Sequence, residues 1–162
     1  MANVTSRPLA VGDHLPDFTL PDQHGNPVRP RDFLGKKAIV IYFYPKDETP
    51  GCTTEACAFR DSYQALQEAG AMVFGISGDS VASHQAFAHH HRLPFTLLSD
   101  QGNVVRKLFG VPSTLGLLPG RVTYIVDPAG TIRRIVNSQF TPARHVAEAL
   151  ALIRQIQGDV SQ

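Results

Sequence analysis

The chain has little cysteine, almost no net charge and no long apolar run, and each shortage excludes a class of protein. Lysine and arginine number 15 against 14 acidic residues, a formal net charge of +1. The basic residues are scattered, so no basic stripe addresses nucleic acid, and no acidic run forms a solvating tail. The first eight residues, Met1 to Pro8, carry no apolar stretch of signal-peptide length, and no later run is long enough to span a bilayer. A soluble, cytoplasmic protein with no membrane or nucleic-acid partner is expected, and a processed plastid protein would look the same. Only two residues are cysteine. In a reducing compartment such a pair points to catalytic or redox use rather than to a permanent staple. The sequence has no internal repeat, low-complexity tract or linker. Its 162 residues, 43% of them hydrophobic, therefore read as one domain over 1–162 with a substantial core.

What is present alternates strands with helices. The first 12 residues look loose. Asp17–Leu20 and Pro27–Arg29 flank the turn residues Asp22 to Asn26, which predicts a short hairpin. Ala38–Phe43 is short and uniformly apolar, the pattern of a buried central strand. A helix is predicted from Pro50 to Glu68, with Ala56, Phe59, Tyr63 and Leu66 on one face and Gly70 at its end. Further strands fall at Met72–Ser77 and Phe95–Leu98, and further helices at Ser80–His91 and Asn103–Phe109. Val111–Gly120 reads as a Pro- and Gly-bearing loop. A hairpin, Val122–Val126 with Thr131–Val136, closes the sheet, and a last helix runs from Thr141 or Pro142 to Gln157, with Gly158 as its stop. The fold class is α/β: three layers, α/β/α, around a central mixed sheet.

Both cysteines lie five residues apart at the mouth of the first long helix. Thr49 suits the N-cap and Pro50 the first helical position. That puts Cys52 in the first turn, where unpaired backbone N–H groups and the positive end of the helix favour an anion. This is a setting in which a thiol becomes a thiolate. The Thr49 hydroxyl is expected within reach of the sulfur, and Pro45 and Pro50 stiffen the loop. Cys57 lies further along the same helix, with its Cα about 8.6 Å from that of Cys52 in ideal geometry. A disulfide needs about 4.4–6.8 Å. If the two cysteines react, the first turns of this helix must unwind. Two inert buried cysteines are the plainer alternative, but the proline-bearing loop that opens the helix start argues against it.

The motif Pro45-x-x-x-Thr49-x-x-Cys52 resembles the active-site motif of the peroxiredoxins, which reduce peroxides with a cysteine thiolate on a thioredoxin-like fold. The spacing to Cys57 is similar to that of the peroxiredoxin Q type, also called bacterioferritin comigratory protein. The resemblance is almost continuous over Phe43–Asp61 and returns at Gly75–Asp79, Leu98–Asp100 and Leu118–Asp127. The Pro112–Arg121 loop and Asn137–Pro142 look most like the cyanobacterial and plastid branch. In all it covers about residues 10 to 157 of the chain. It implies a thioredoxin-like fold, with Cys52 as peroxidatic nucleophile and Cys57 as resolving cysteine. Thr49 and Pro45 fall on the family's loop positions, Arg121 on its catalytic arginine, and Glu55 on the glutamate that orients that arginine. By itself an arginine at a strand start, such as Arg121, would be read as a solvated flank. The implied reaction reduces hydrogen peroxide and organic hydroperoxides through a sulfenic acid and an intramolecular disulfide. Thioredoxin or a similar dithiol reductant restores the thiols. No cofactor or metal is called for, and a monomer is implied.

Other features carry plainer readings. His89, His90 and His91 point about 100° apart on a helix and cannot share one ion there, so they read as solvated surface. His84 and His91 share a face but sit two turns apart. Gly75–Ser80 reads as a strand-to-helix turn capped by Asp79 or Ser80, since it lacks a phosphate loop's lysine and a dinucleotide fingerprint. Phe43 and Tyr44 suit the core or a pocket wall, and Phe87, Phe95 and Phe109 the core. A general disulfide oxidoreductase would carry Cys-x-x-Cys, which is absent. A redox-controlled holdase would need an exposed apolar surface, which the sequence does not show.

Overall fold

The computed structural model describes residues 7–112, 120–138 and 141–160. In chain order, β1 (Leu20–Pro21) and β2 (Pro27–Val28) form the N-terminal hairpin, followed by a 3₁₀ turn at Pro30–Phe33. Then come β3 (Ala38–Phe43), α1 (Pro50–Glu68), β4 (Ala71–Ser77) and α2 (Val81–His91). β5 (Thr96–Ser99), α3 (Val104–Phe109), β6 (Val122–Val126), β7 (Ile132–Asn137) and α4 (Pro142–Val160) complete the chain. The main sheet has the order β5-β4-β3-β6-β7. β3, β4 and β5 run parallel, while β6 is antiparallel to β3 and β7 to β6.

The uniform apolarity of Ala38–Phe43 has a direct cause: β3 is the middle strand and is buried on both faces. Val40 and Tyr42 point toward a layer made by α1, α2 and α4, where they meet Ala56, Phe59, Phe87 and Ile153. Ile39, Ile41 and Phe43 point the other way, onto Val105 and Phe109 of α3 and onto Leu15 and Phe18. Leu20 and Val28 of the hairpin pack on this second cluster. The expected three layers and mixed sheet are therefore present, with the N-terminal segment completing the thinner layer.

Two segments differ from expectation. The segment read as loose is pinned from Leu9 onward. Leu9 N–H donates to the Phe109 carbonyl at 3.0 Å and Gly12 N–H to that of Ile132 at 2.8 Å. Non-local backbone pairing of this kind leaves no trace in local composition. The last helix does not stop at Gly158 but runs to Val160. An isolated glycine weakens a helix without ending it. By contrast Gly70 does end α1, at φ +85°, a conformation closed to most side chains. The Val111–Gly120 loop, the Leu118–Asp127 stretch and Asn137–Pro142 lie partly outside the described residues.

Candidate active site

The register of the sheet builds the site. Phe43 at the end of β3 pairs with Val122 at the start of the antiparallel β6. Arg121 therefore emerges beside the chain that leaves β3 as Tyr44-Pro45 and enters α1 at Pro50. Arg106 secures this junction from α3. Its guanidinium donates to the Gly120 carbonyl and to the Tyr44 carbonyl, both at 2.7 Å. One buried side chain thus ties together the two segments that carry the site residues. The start of α3 is in turn held by Asp100, whose carboxylate accepts from the Val105 and Arg106 amides at 3.0 and 2.9 Å.

At the head of α1, Cys52 is 1% exposed. Arg121 Nη2 donates to its sulfur at 3.4 Å, and Nη1 donates to Glu55 Oε1 at 2.6 Å. Arg121 is 3% exposed and Glu55 fully buried, so the arginine is no solvated flank. A Cβ at position 51 would stand 2.9 Å from Arg121 Nη2, which explains a glycine immediately before the cysteine. Burial works against the charge of Arg121, but Glu55 and Cys52 outweigh it and raise its pKa. Burial also pushes the Glu55 carboxyl up to about 7, against the pull of Arg121.

The other oxygen, Glu55 Oε2, finds no hydrogen-bond partner among the described residues and lies 3.6 Å from His145 Nδ1. His145 Nε2 donates to the Ser138 carbonyl at 2.7 Å, which leaves Nδ1 to accept from the Thr123 hydroxyl at 2.7 Å. Burial lowers the pKa of His145 and keeps it neutral. Tyr42 stacks on Phe59 at 4.5 Å between ring centroids, and its buried phenol stays protonated, its pKa raised by burial first and by Glu55 second.

The loop before α1 has its own anchor. Asp47 is buried and receives hydrogen bonds from the Tyr44 phenol at 2.5 Å, Ser83 at 2.8 Å and His84 Nδ1 at 2.7 Å. His84 Nε2 faces the Leu98 carbonyl at 3.0 Å. The ring thus bridges the Asp47 carboxylate and the Leu98 carbonyl. The Asp47 amide donates to Asp79 at 2.9 Å. As expected, Ser80 caps α2, accepting from the Ser83 amide at 3.1 Å.

Thr49 occupies the N-cap position but does not cap with its side chain; its hydroxyl donates to the Lys46 carbonyl at 2.8 Å. The turn Lys46–Thr49 takes that proton, and the oxygen keeps its acceptor capacity. Pro45 is partly buried in the same loop. Cys57 is partly buried, both cysteines are free, and α1 is continuous between them. The structure thus brings Cys52, Glu55 and Arg121 into contact and sets Thr49 and Pro45 on the adjoining loop. The sequence reading missed Arg106, Asp47, His84, Thr123 and His145. Asp47 and Thr123 fall inside stretches that resemble the family but at positions its motif leaves open, and the partners of Arg106, His84 and His145 lie on other elements. Phe43 and Tyr44 are core residues, as are Phe87, Phe95 and Phe109.

Fold and site define a thiol-centred domain: a mixed sheet with a buried cysteine at a helix start and a guanidinium on its sulfur. The chain belongs to the AhpC/TSA family, whose model matches residues 11–135. It is 58% identical over 149 residues to the chloroplastic Peroxiredoxin Q of Triticum aestivum, covering 91% of this chain and 68% of that protein. To the Peroxiredoxin Q of Sedum lineare it is 56% identical, with 91% and 80% covered. Among solved structures, Peroxidoxin BcpB of Mycobacterium tuberculosis aligns with a TM-score of 0.83 at 40% identity, over 90% of this chain and 97% of that one. Peroxiredoxin Q of Xanthomonas campestris aligns with a TM-score of 0.79 at 30% identity, over 86% and 91%. The fold is thioredoxin-like, and the chain is a thiol-dependent peroxidase of the peroxiredoxin class.

Proposed function

We propose that Cys52 is the peroxidatic nucleophile and Cys57 the resolving cysteine of a monomeric, thioredoxin-dependent peroxidase acting on hydrogen peroxide and organic hydroperoxides. The observation that carries this reading is the Arg121 guanidinium on the Cys52 sulfur at 3.4 Å, at the N-terminus of the helix that also carries Cys57. The Cys52 thiolate attacks one oxygen of the peroxide, the S–O bond forms as the O–O bond breaks, and the departing oxygen leaves as an alkoxide or hydroxide that takes up a proton. Arg121 and the first-turn amides of α1 stabilise that developing charge. Thr49, its own proton held by Lys46, is left to accept from the peroxide hydroxyl, with Pro45 shaping the loop. Glu55 positions Arg121.

The sulfenic acid on Cys52 then condenses with the Cys57 thiol, releasing water and forming the disulfide. α1 must open locally for this step. A dithiol reductant restores both thiols by exchange. Two cysteines on one helix make the cycle complete within one chain, which supports a monomer. No helix of the described residues is long and apolar enough to cross a membrane. A reducing compartment, which we take to be the cytoplasm, suits thiols that must be recycled, although the plant relatives are chloroplastic by name.

The test is peroxide consumption with thioredoxin, thioredoxin reductase and NADPH, on the wild type and Cys52→Ser in parallel. Turnover in the wild type and background in the variant is the expected result. Equal turnover in both would remove Cys52 from the mechanism.

A further inference from the structure

We propose that Glu48, His90 and His91 form a binding site for a divalent transition-metal ion of the zinc type, clamping the loop before α1 to the end of α2. Consecutive residues leave a helix about 100° apart. Here the third ligand comes from another element, and both rings turn toward it. His90 Nδ1 lies 3.0 Å from Glu48 Oε2, and His91 Nε2 lies 2.8 Å from Oε1. The donor atoms of the three residues all lie within 4.8 Å of one another, and the two ring centroids are 4.2 Å apart. A tetrahedral ion with bonds of about 2.0–2.1 Å separates its ligand atoms by about 3.3 Å. The imidazole–carboxylate gaps need to widen by only a few tenths of an ångström. The ion would replace the two protons that now bridge the rings to the carboxylate. Two imidazoles and a carboxylate are ordinary zinc ligands, and exposure of His90 and Glu48 leaves an entry path and a fourth position for water.

The frame around the site is fixed. Arg60 of α1 donates to the His91 carbonyl at 2.9 Å, and the His91 ring packs edge-on against Phe87 at 5.1 Å. Glu48 immediately precedes Thr49, the N-cap of α1. A metal there would tether the residue from which the helix start must open. This regulatory consequence rests on the proposed resolution step; metal binding itself does not.

The experiment titrates reduced, untagged wild-type protein with Zn²⁺ by calorimetry, alongside His90→Gln, Glu48→Gln and His89→Gln. The wild type and His89→Gln should bind one ion per chain, and the other two variants about tenfold or more weakly. With Co²⁺ as probe, the visible bands should appear without the intense near-ultraviolet band of a thiolate ligand. Wild-type affinity in His90→Gln, or a thiolate band in the wild type, would overturn the site. For the clamp, Zn²⁺ should slow hydrogen exchange of the Gly51 to Thr53 amides in the wild type and not in His90→Gln. Unchanged exchange with the ion bound would overturn the clamp. Single-turnover oxidation of Cys52 without metal reports on the peroxidase reading separately.

Discussion

Gly51, Cys52, Glu55 and Arg121 act as one unit, because a guanidinium can lie on the sulfur only where no Cβ stands at position 51. Arg121→Gln should slow oxidation of Cys52 by hydrogen peroxide by about 10²–10³-fold, as loss of one donor to a developing charge does; stopped-flow kinetics measures it. The same change takes away the buried donor to Glu55 and should destabilise the protein by about 1–3 kcal/mol, the cost of an unsatisfied buried polar group. The double variant Arg121→Gln, Glu55→Gln should recover stability but not rate, which separates the two roles. Glu55 also gives stability a pH dependence. Its folded pKa of about 7 lies above the ordinary glutamate value of 4.5, so between these values the native state holds a proton that the unfolded chain has released. That contribution is full below 4.5 and is lost as pH rises through about 7. Glu55→Gln should flatten the fall in melting temperature across this window, and an unchanged slope would remove Glu55 as its source.

For α1, what matters is that an intact helix keeps the two cysteines apart. Its residues from Pro50 to Glu68 are continuous, and helix geometry holds positions five apart beyond disulfide reach. Oxidation should therefore speed hydrogen exchange and proteolysis near Cys52 to Phe59; identical exchange in reduced and oxidised protein would rule out local unfolding. Cys57→Ala should consume one equivalent of peroxide and then stall at the sulfenic acid with thioredoxin as sole reductant. Mass spectrometry of the stalled protein reads the added oxygen, and full steady-state turnover would exclude Cys57 as resolving residue. This element was legible in the sequence down to its ends. Thr49, Pro50 and Gly70 mark its boundaries through N–H and φ preferences that act locally. The Thr49 side chain was read less well, because its proton goes to Lys46 through a turn no cap preference predicts.

Across the whole molecule, the site depends on packing far from the sulfur. Tyr42 of β3 can lie flat beneath α1 because its neighbour on β4 is Gly75, where a Cβ would meet the phenol at 2.8 Å. Gly75→Ala should cost about 1–3 kcal/mol by overpacking, measured as a lowered urea midpoint. Arg106 joins the Tyr44 and Gly120 carbonyls, and Asp47 with His84 moors the loop to α2. These are non-local, buried polar contacts. Their residues sit in unremarkable sequence, because hydrogen-bond satisfaction in a core is decided by what the fold places opposite each group.

Local sequence suffices for the elements and for the setting of Cys52. Alternating apolar runs and local stop signals define strands and helices, and Thr49-Pro50-Gly51-Cys52 puts a thiol where helix amides are unpaired. Which charges meet that thiol is settled by packing between elements distant in sequence. The Phe43–Val122 register carries Arg121 across 69 residues to Cys52, the packing of α4 brings His145 to Glu55, and the packing of α2 beside the loop before α1 sets two histidines against Glu48. Pairing of this kind is fixed by sheet register and layer packing, and those depend on the whole chain at once.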